Sequence, residues 1–347
     1  MFTFELIDKL AAEHSLPLEE YEHLVKNFRD DTYDYARAKA VEERKKVYSN
    51  KVFIRGLIEI SNICKNDCYY CGIRKSNNLC SRYRLKKDEI LSCCDEGYSL
   101  GFRTFVLQGG EDGYFTDDVL CDIVTSIKAK YPECAVTLSL GERSFDSYKR
   151  LREAGADRYL LRHETITRKH YEALHPENMS YDERLRCLND LKSLGFQVGV
   201  GFMVSSPFMT AEHIASDLKF IEEFDPQMCG IGPFIPHCDT PFADFPAGDA
   251  DLTCYLLSLI RLIHPNILLP ATTALGSVSV GGREKGIMSG ANVIMPNLSP
   301  SSVREKYMLY NGKAYTGSEA GENLANIMAS LAEIGYETVV DRGDYAK

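Results

Sequence analysis

The chain has 347 residues, with 40 basic and 50 acidic side chains, a net charge of −10 and a pI near 5.4. That balance argues against nucleic acid as the main partner, because binding it needs a basic face to displace condensed counterions. No run approaches the roughly 18 apolar residues that cross a bilayer. The first twenty residues carry acids early and lack a basic start, an apolar core and a cleavage site, so a cytoplasmic location is expected.

In chain order, residues 1–50 predict a helical extension. Leu6, Ile7, Leu10 and Ala11 recur at helical spacing, as do Leu18, Tyr21, Val25 and Phe28. Between them, Ser15 and Pro17 read as an N-cap and a first-turn proline. The stretch 34–47 then runs on without Pro or Gly.

From residue 51 short apolar runs alternate with amphipathic segments. The runs are 52–60, 104–107, 135–140, 158–161, 197–204, 228–234, 267–270 and 291–295, rich in Val, Ile, Leu and Phe like strands buried on both faces. Helices are predicted at 86–100, 116–130, 144–155, 180–194, 210–223, 250–263, 281–289 and near 318–334. Two of them end at a stop glycine, in EAGAD (153–157) and KSLGF (192–196).

Eight alternations in a stretch of this length predict an α/β fold of (β/α)8 TIM-barrel type, full or nearly so, over 51–300. Residues 301–347 are expected to form a C-terminal extension packed on the barrel. The alternative, an open doubly wound sheet, lacks its G-x-G-x-x-G signature here. In a barrel, chemistry sits at the C-terminal strand ends. Those ends read SNIC, QGGED, SLGE, RHET, MVSSP, PFIPH, ATTA and MPN, unusually polar for sequence beside buried strands.

Twelve cysteines in a long chain with a large core and no export signal read as reduced thiols. After the first run comes Cys64-Lys-Asn-Asp-Cys68-Tyr-Tyr-Cys71. Three thiolates can hold a cubane iron–sulfur cluster with one iron left open, since such clusters normally take four cysteines. Zinc normally takes four ligands in paired units, and no second pair exists here. Chance clustering of free thiols is the remaining alternative. The other nine cysteines, including the contiguous Cys93 and Cys94, read mostly as small buried hydrophobes.

The C-x3-C-x2-C loop, with Tyr70 before its third cysteine, resembles the radical S-adenosylmethionine superfamily. Longer stretches resemble its HydE branch, the maturases of FeFe hydrogenase. These are LQGGEDGYF (107–115), VTLSLGE (136–142), DRYLLRHET (157–165), GIGPFIPHCDTPFA (230–243), PATTALG (270–276), GGRE (281–284), GANVIMPNLSP (290–300) and REKYMLYNGK (304–313). The resemblance implies one 4Fe–4S cluster on Cys64, Cys68 and Cys71. It implies S-adenosylmethionine contacted by Tyr70, Ser139, Glu164 and Arg184. It also implies a substrate pocket of Gln108, Thr137, Arg158, Arg162, Thr272, Thr273, Met295 and Tyr307, with Tyr310 nearby. Arg158 and Arg162, on one short segment, suit an anionic or carboxylate-bearing ligand. Taken alone, Arg184 reads as a solvated helix residue, Met295 as core, and His163 and His237 as hydrogen-bonded structural residues.

The implied reaction is adenosyl-radical attack at sulfur on a cysteine-bound Fe(CO)2(CN) synthon during assembly of the hydrogenase cluster. Other maturation proteins and an electron donor are implied partners; nucleic acid and membrane are not. Alternatives are a mutase of the methylornithine synthase type and a non-catalytic carrier of a cluster or synthon. The chain departs from the branch in one respect: the second cysteine set found near the C-terminus of many members is missing. The branch also tolerates serine at the position of Gly109.

Overall fold

The structure is a computed structural model that describes residues 2–314 and 320–346, with the backbone alone for 320–323. Three helices, Thr3–Glu13, Leu18–Lys26 and Asp30–Tyr48, precede the first strand. The second begins after Pro17, not at Ser15, whose hydroxyl donates instead to Glu222 at 2.7 Å. A long-range carboxylate outcompetes the local cap. These helices lie over the outer helices: Tyr21 donates to Glu222 (2.6 Å) and Tyr255 to the Leu24 carbonyl (3.3 Å). The cover explains the helix Ala250–Ile263, whose residues 253–263 are all buried. A helix apolar on every side needs packing on every side.

The parallel strands close into a barrel. The first, split at Arg55 into Lys51–Ile54 and Gly56–Ser61, is followed around the ring by Thr104–Gly109, Ala135–Ser139, Arg158–Leu160, Gln197–Val200 and Met228–Cys229. Met228 bridges Leu268, Pro270 bridges Val293 of the strand Val293–Ile294, and Asn297 bridges Leu57, which completes eight staves. Side chains at 106, 108, 137 and 139 alternate with the outward-facing 105, 107, 136 and 138, as strand geometry requires. The intervening helices start where the polar caps stand. Thr116, Ser144, Ser180, Thr210 and Asp249 each accept a backbone N–H from the following turn. Gly155 and Gly195 follow helix ends at φ +109° and +73°, where a side chain would be strained. Helices Arg168–Leu174 and Thr273–Val278 were not legible in the sequence. The helix expected near 318–334 is observed as Ala320–Glu333; residues 318 and 319 lie outside the described residues.

After that helix, Glu337–Val339 adds to the outer part of the first strand, in parallel. Residues 341–346 then cross the N-terminal end of the barrel. Arg158, fully buried, donates to Asp344 Oδ1 (2.5 Å), to the carbonyls of Arg342 (3.0 Å) and Gly343 (3.2 Å), and to Thr104 Oγ1 (3.0 Å). Thr104 and Arg158 begin their strands, so the tail seals the end of the barrel opposite the polar loops. Among the described residues, no helix is long and apolar enough to cross a membrane.

Candidate active site

The cysteine loop leaves the first strand at the C-terminal end of the barrel and is fixed mostly by backbone carbonyls. Arg82 donates to the carbonyls of Asn62 (2.5 Å), Ile73 (2.8 Å), Arg74 (2.6 Å) and Asn77 (2.9 Å). Asn62 donates to those of Ser81 (2.8 Å) and Lys306 (2.7 Å). The amide of Glu111 donates to Cys64 Sγ at 3.3 Å. Gly110 permits this close approach, because a Cβ there would lie 2.3 Å from the Ile63 carbonyl oxygen.

The three cysteines are half-buried thiols. Burial pushes all three up, Cys71 to about 12, and the neighbouring sulfurs of Cys71 and Cys64 add to the rise at Cys68 and Cys71 respectively. Three thiolates are therefore disfavoured here unless a cation compensates them, and loading a metal would release protons. Among the described residues, the one trio of potential ligand atoms within 4.8 Å of one another is His237, Cys238 and Asp239. At least one pair of the motif sulfurs therefore stands more than 4.8 Å apart, wider than the roughly 3.8 Å that tetrahedral zinc with about 2.3 Å bonds demands. Wider spacing suits a cluster in which each thiolate meets a different iron.

The sulfurs open into a chamber of about 260 Å³ whose walls include Gln108, Ser139, Arg162, Glu164, Arg184 and Tyr307. A recess of about 130 Å³, lined by Thr272, Tyr310, Met203 and Pro233, shares Tyr70, Cys71, Arg162 and Leu309 with it. Glu164 sits at φ +63°, a left-handed conformation costing about 1–2 kcal/mol for an L-residue. Its amide donates to the Gly201 carbonyl (3.0 Å), and Arg162 Nη2 stands 3.1 Å from its Oε2. Arg162 Nε, Thr272 Oγ1 and, one layer deeper, Thr137 Oγ1 are buried without hydrogen-bond partners. Unsatisfied buried polar atoms cost free energy, so Arg162 Nε and Thr272 Oγ1, on the walls of the chamber and its recess, point to a polar ligand.

Arg184 is buried, not a solvated helix residue. Its Nε donates to Glu142 Oε1 and its Nη1 to the Arg162 carbonyl, each at 2.6 Å. Tyr70 is held by His175: burial, reinforced by the charge of Arg184, pushes the imidazole down to about 3. The ring is therefore neutral, with Nδ1 donating to the Tyr171 carbonyl (2.8 Å) and Nε2 accepting from the Tyr70 hydroxyl (3.2 Å). His163 accepts from the Gly201 amide (3.2 Å) and His237 from that of Asp239 (3.1 Å), both as structural residues.

Four members of the expected substrate pocket line neither the chamber nor the recess: Thr137, two residues before Ser139 on its strand, and Arg158, Thr273 and Met295. Arg158 belongs to the sealed base; four residues before Arg162 along a strand that rises about 3.3 Å per residue, it reaches the opposite end of the barrel. Thr273 and Met295 border a separate cleft of about 20 Å³ with Lys313 and Asn297. Thr273 is the first helical residue after the cap Thr272, and a helix turns about 100° per residue, which points it away from the recess. Met295 packs on the apolar cluster of Val293, Leu268, Phe53 and Met228. Arg82, Asn62, Glu111, Glu142 and His175 escaped the sequence reading. Asn62, Glu111 and Glu142 had a signal there, as polar residues in the strand-end stretches SNIC, QGGED and SLGE.

The Radical SAM superfamily profile matches residues 58–221, from the first barrel strand into the helix after the fifth. These residues therefore define a radical SAM enzyme. The FeFe hydrogenase maturase subunit HydE of Thermotoga maritima is 46% identical over 288 residues, covering 83% of this chain and 82% of that protein. The 3-methylornithine synthase of Methanosarcina acetivorans is 25% identical over 349 residues, 96% of each. In fold, a crystal structure of methylornithine synthase matches with a TM-score of 0.83 at 23% identity, covering 96% of this chain and 97% of that one. A crystal structure of HydG, a maturase of the FeFe hydrogenase, matches with a TM-score of 0.81 at 21% identity, covering 97% and 75%. The chain belongs to the HydE family within the radical SAM superfamily.

Proposed function

We propose that this chain uses one 4Fe–4S cluster and S-adenosylmethionine to act on a cysteine-bound Fe(CO)2(CN) synthon during assembly of the FeFe hydrogenase active site. One observation carries the reading: the sulfur-lined chamber and the Thr272–Tyr310 recess share Arg162 and form a two-part space at the barrel mouth. Cys64, Cys68 and Cys71 would supply three thiolates and leave one iron for the amino and carboxylate groups of S-adenosylmethionine. When bound, the cluster supplies the electron that cleaves S-adenosylmethionine to methionine and a 5′-deoxyadenosyl radical.

Glu164, a chamber-wall carboxylate beside Arg162, would accept from a ribose diol, and Ser139 would add a hydroxyl from the same chamber. With Nε and Nη1 of Arg184 engaged, its Nη2 is left to meet a ligand carboxylate. Arg162 and Thr272 offer unsatisfied donors where the recess begins, suited to the carboxylate of a cysteine-bound complex. Gln108, Tyr307 and Tyr310 complete the walls that keep water from a reactive radical. An electron donor, and maturation proteins that deliver and accept the iron complex in the cytoplasm, belong to the same reading.

The test is anaerobic. Reduced, cluster-loaded protein is incubated with S-adenosylmethionine, with and without the synthon, and hydrogenase activity is measured in a maturation assay. The expected result is 5′-deoxyadenosine together with maturation that depends on this protein. Maturation without release of 5′-deoxyadenosine would make the protein a carrier, and conversion of lysine to methylornithine would make it a mutase.

A further inference from the structure

Glu59 is an acid inside the barrel that neither the cluster nor the cofactor reading uses. It lies on the first strand, opposite Gln108, and is 1% exposed. Its Oε1 accepts from Lys313 Nζ at 2.5 Å and its Oε2 from Asn297 Nδ2 at 2.9 Å. The lysine comes from the C-terminal extension, not from a barrel strand. The same ammonium donates to the Tyr307 carbonyl at 2.9 Å and stands 4.9 Å from the centre of the Tyr307 ring. The residues between form a strap. The Leu309 carbonyl accepts from the Gly72 amide of the cysteine loop (2.9 Å), and the Asn311 amide donates to the Pro236 carbonyl of the loop after the sixth strand (3.0 Å). Tyr307 and Leu309 line the chamber, and Leu309 and Tyr310 line the recess.

We propose that the buried Glu59–Lys313 pair is a latch that fixes residues 307–313 as one wall of the chamber. It thereby positions Tyr307 and Tyr310 against the substrate without touching the substrate itself. The inference deepens the function proposed above and rests on it for the identity of the substrate. A buried ion pair is a weak source of stability, because desolvation offsets its attraction and an apolar pair of similar size often does as well. What it provides is direction. One ammonium at position 313 satisfies Glu59 and the Tyr307 carbonyl together, and that double contact sets the register of the strap. Glu59 and Lys313 are positioning residues.

The experiment compares full-length, cluster-loaded wild type with Lys313→Met and with the double variant Glu59→Gln/Lys313→Met. Three readouts are taken: thermal stability, amide exchange of 307–312, and product formed per 5′-deoxyadenosine released. Lys313→Met is expected to speed exchange of the strap by roughly tenfold or more while a barrel segment such as 120–127 keeps its rate. Cleavage of S-adenosylmethionine is expected to continue, with product per cleavage falling by roughly tenfold as the wall loses its place. The double variant leaves no unpaired buried charge and is expected to regain stability while coupling stays low. It also serves if Lys313→Met alone does not fold. Unchanged strap exchange in both variants, or coupling that recovers together with stability, would overturn the latch. A wild type that cleaves S-adenosylmethionine but converts no iron complex would instead sink the substrate assignment, and strap exchange would still judge the latch.

Discussion

Replacing Gly110 by alanine tests how the second strand positions the cysteine loop. A Cβ at Gly110 would lie 2.3 Å from the Ile63 carbonyl oxygen and 2.8 Å from Cys64 Cβ. To regain a contact near 3.5 Å, the Ile63–Cys64 backbone would have to retreat by roughly 1 Å. Overpacking of this kind costs about 1–3 kcal/mol. It would also shift a cluster ligand, and a displacement of about 1 Å at a reacting centre can cost on the order of 100-fold in rate. Gly109 is the internal control. A Cβ there meets the Ser61 carbonyl oxygen at 3.2 Å, a contact that a few tenths of an ångström relieve. Gly110→Ala is therefore expected to load less iron and sulfide and to cleave S-adenosylmethionine on the order of 100-fold more slowly, with Gly109→Ala close to wild type. Anaerobic reconstitution, iron and sulfide analysis and 5′-deoxyadenosine release provide the assay. Gly110→Ala with full cluster content and wild-type cleavage would refute the close-packing argument.

Cys64→Ala, Cys68→Ala and Cys71→Ala are each expected to abolish cleavage of S-adenosylmethionine, whereas changes at Cys93, Cys94 or Cys121 should leave iron content intact. An iron-loaded, active Cys68→Ala protein would remove the cluster assignment. Arg162→Leu is expected to weaken the synthon by about 10- to 150-fold, the range for a charge-assisted hydrogen bond, while cleavage of S-adenosylmethionine persists. Arg184→Leu should instead weaken S-adenosylmethionine and strand the Glu142 carboxylate; titration of both ligands against both variants separates the two. Arg158→Met should lower the melting temperature and leave substrate affinity unchanged, since its partners are in the base, and altered affinity would restore Arg158 to the pocket. Asp344 should make the base acid-labile. Burial opposes ionisation there, but Arg342 and Arg158 outweigh it and hold the carboxyl at about 2. A depressed folded-state value stabilises above the ordinary carboxylate range, so the contribution should be complete above about pH 4 and vanish as pH falls towards 2. An Asp344→Asn melting curve that keeps the wild-type acid slope would refute this.

Local rules were enough for much of the architecture. Apolar runs with β-branched residues mark seven of the eight staves to within a few residues, and the cap residues Thr116, Ser144, Ser180 and Thr210 start helices where polar side chains can take up unpaired amides. The cysteine loop was legible for the same reason: its three cysteines lie within eight residues, so sequence spacing alone keeps them on one loop.

What the sequence by itself could not determine was long-range. Arg158 and Arg162 share one segment, yet a strand carries its two ends to opposite faces of a barrel, one sealed by the C-terminal tail and the other open to the chamber. Thr272 and Thr273 are neighbours, yet a helix start turns one into the recess and the other away. Ser15 reads as a cap until Glu222, far along the chain, takes its hydroxyl. The Glu59–Lys313 contact spans 254 positions, and no spacing rule reaches so far. Periodicity records which face of an element is apolar. Which distant group meets a given side chain is decided only when the elements pack, because hydrogen bonds and ion pairs depend on distance and angle in space.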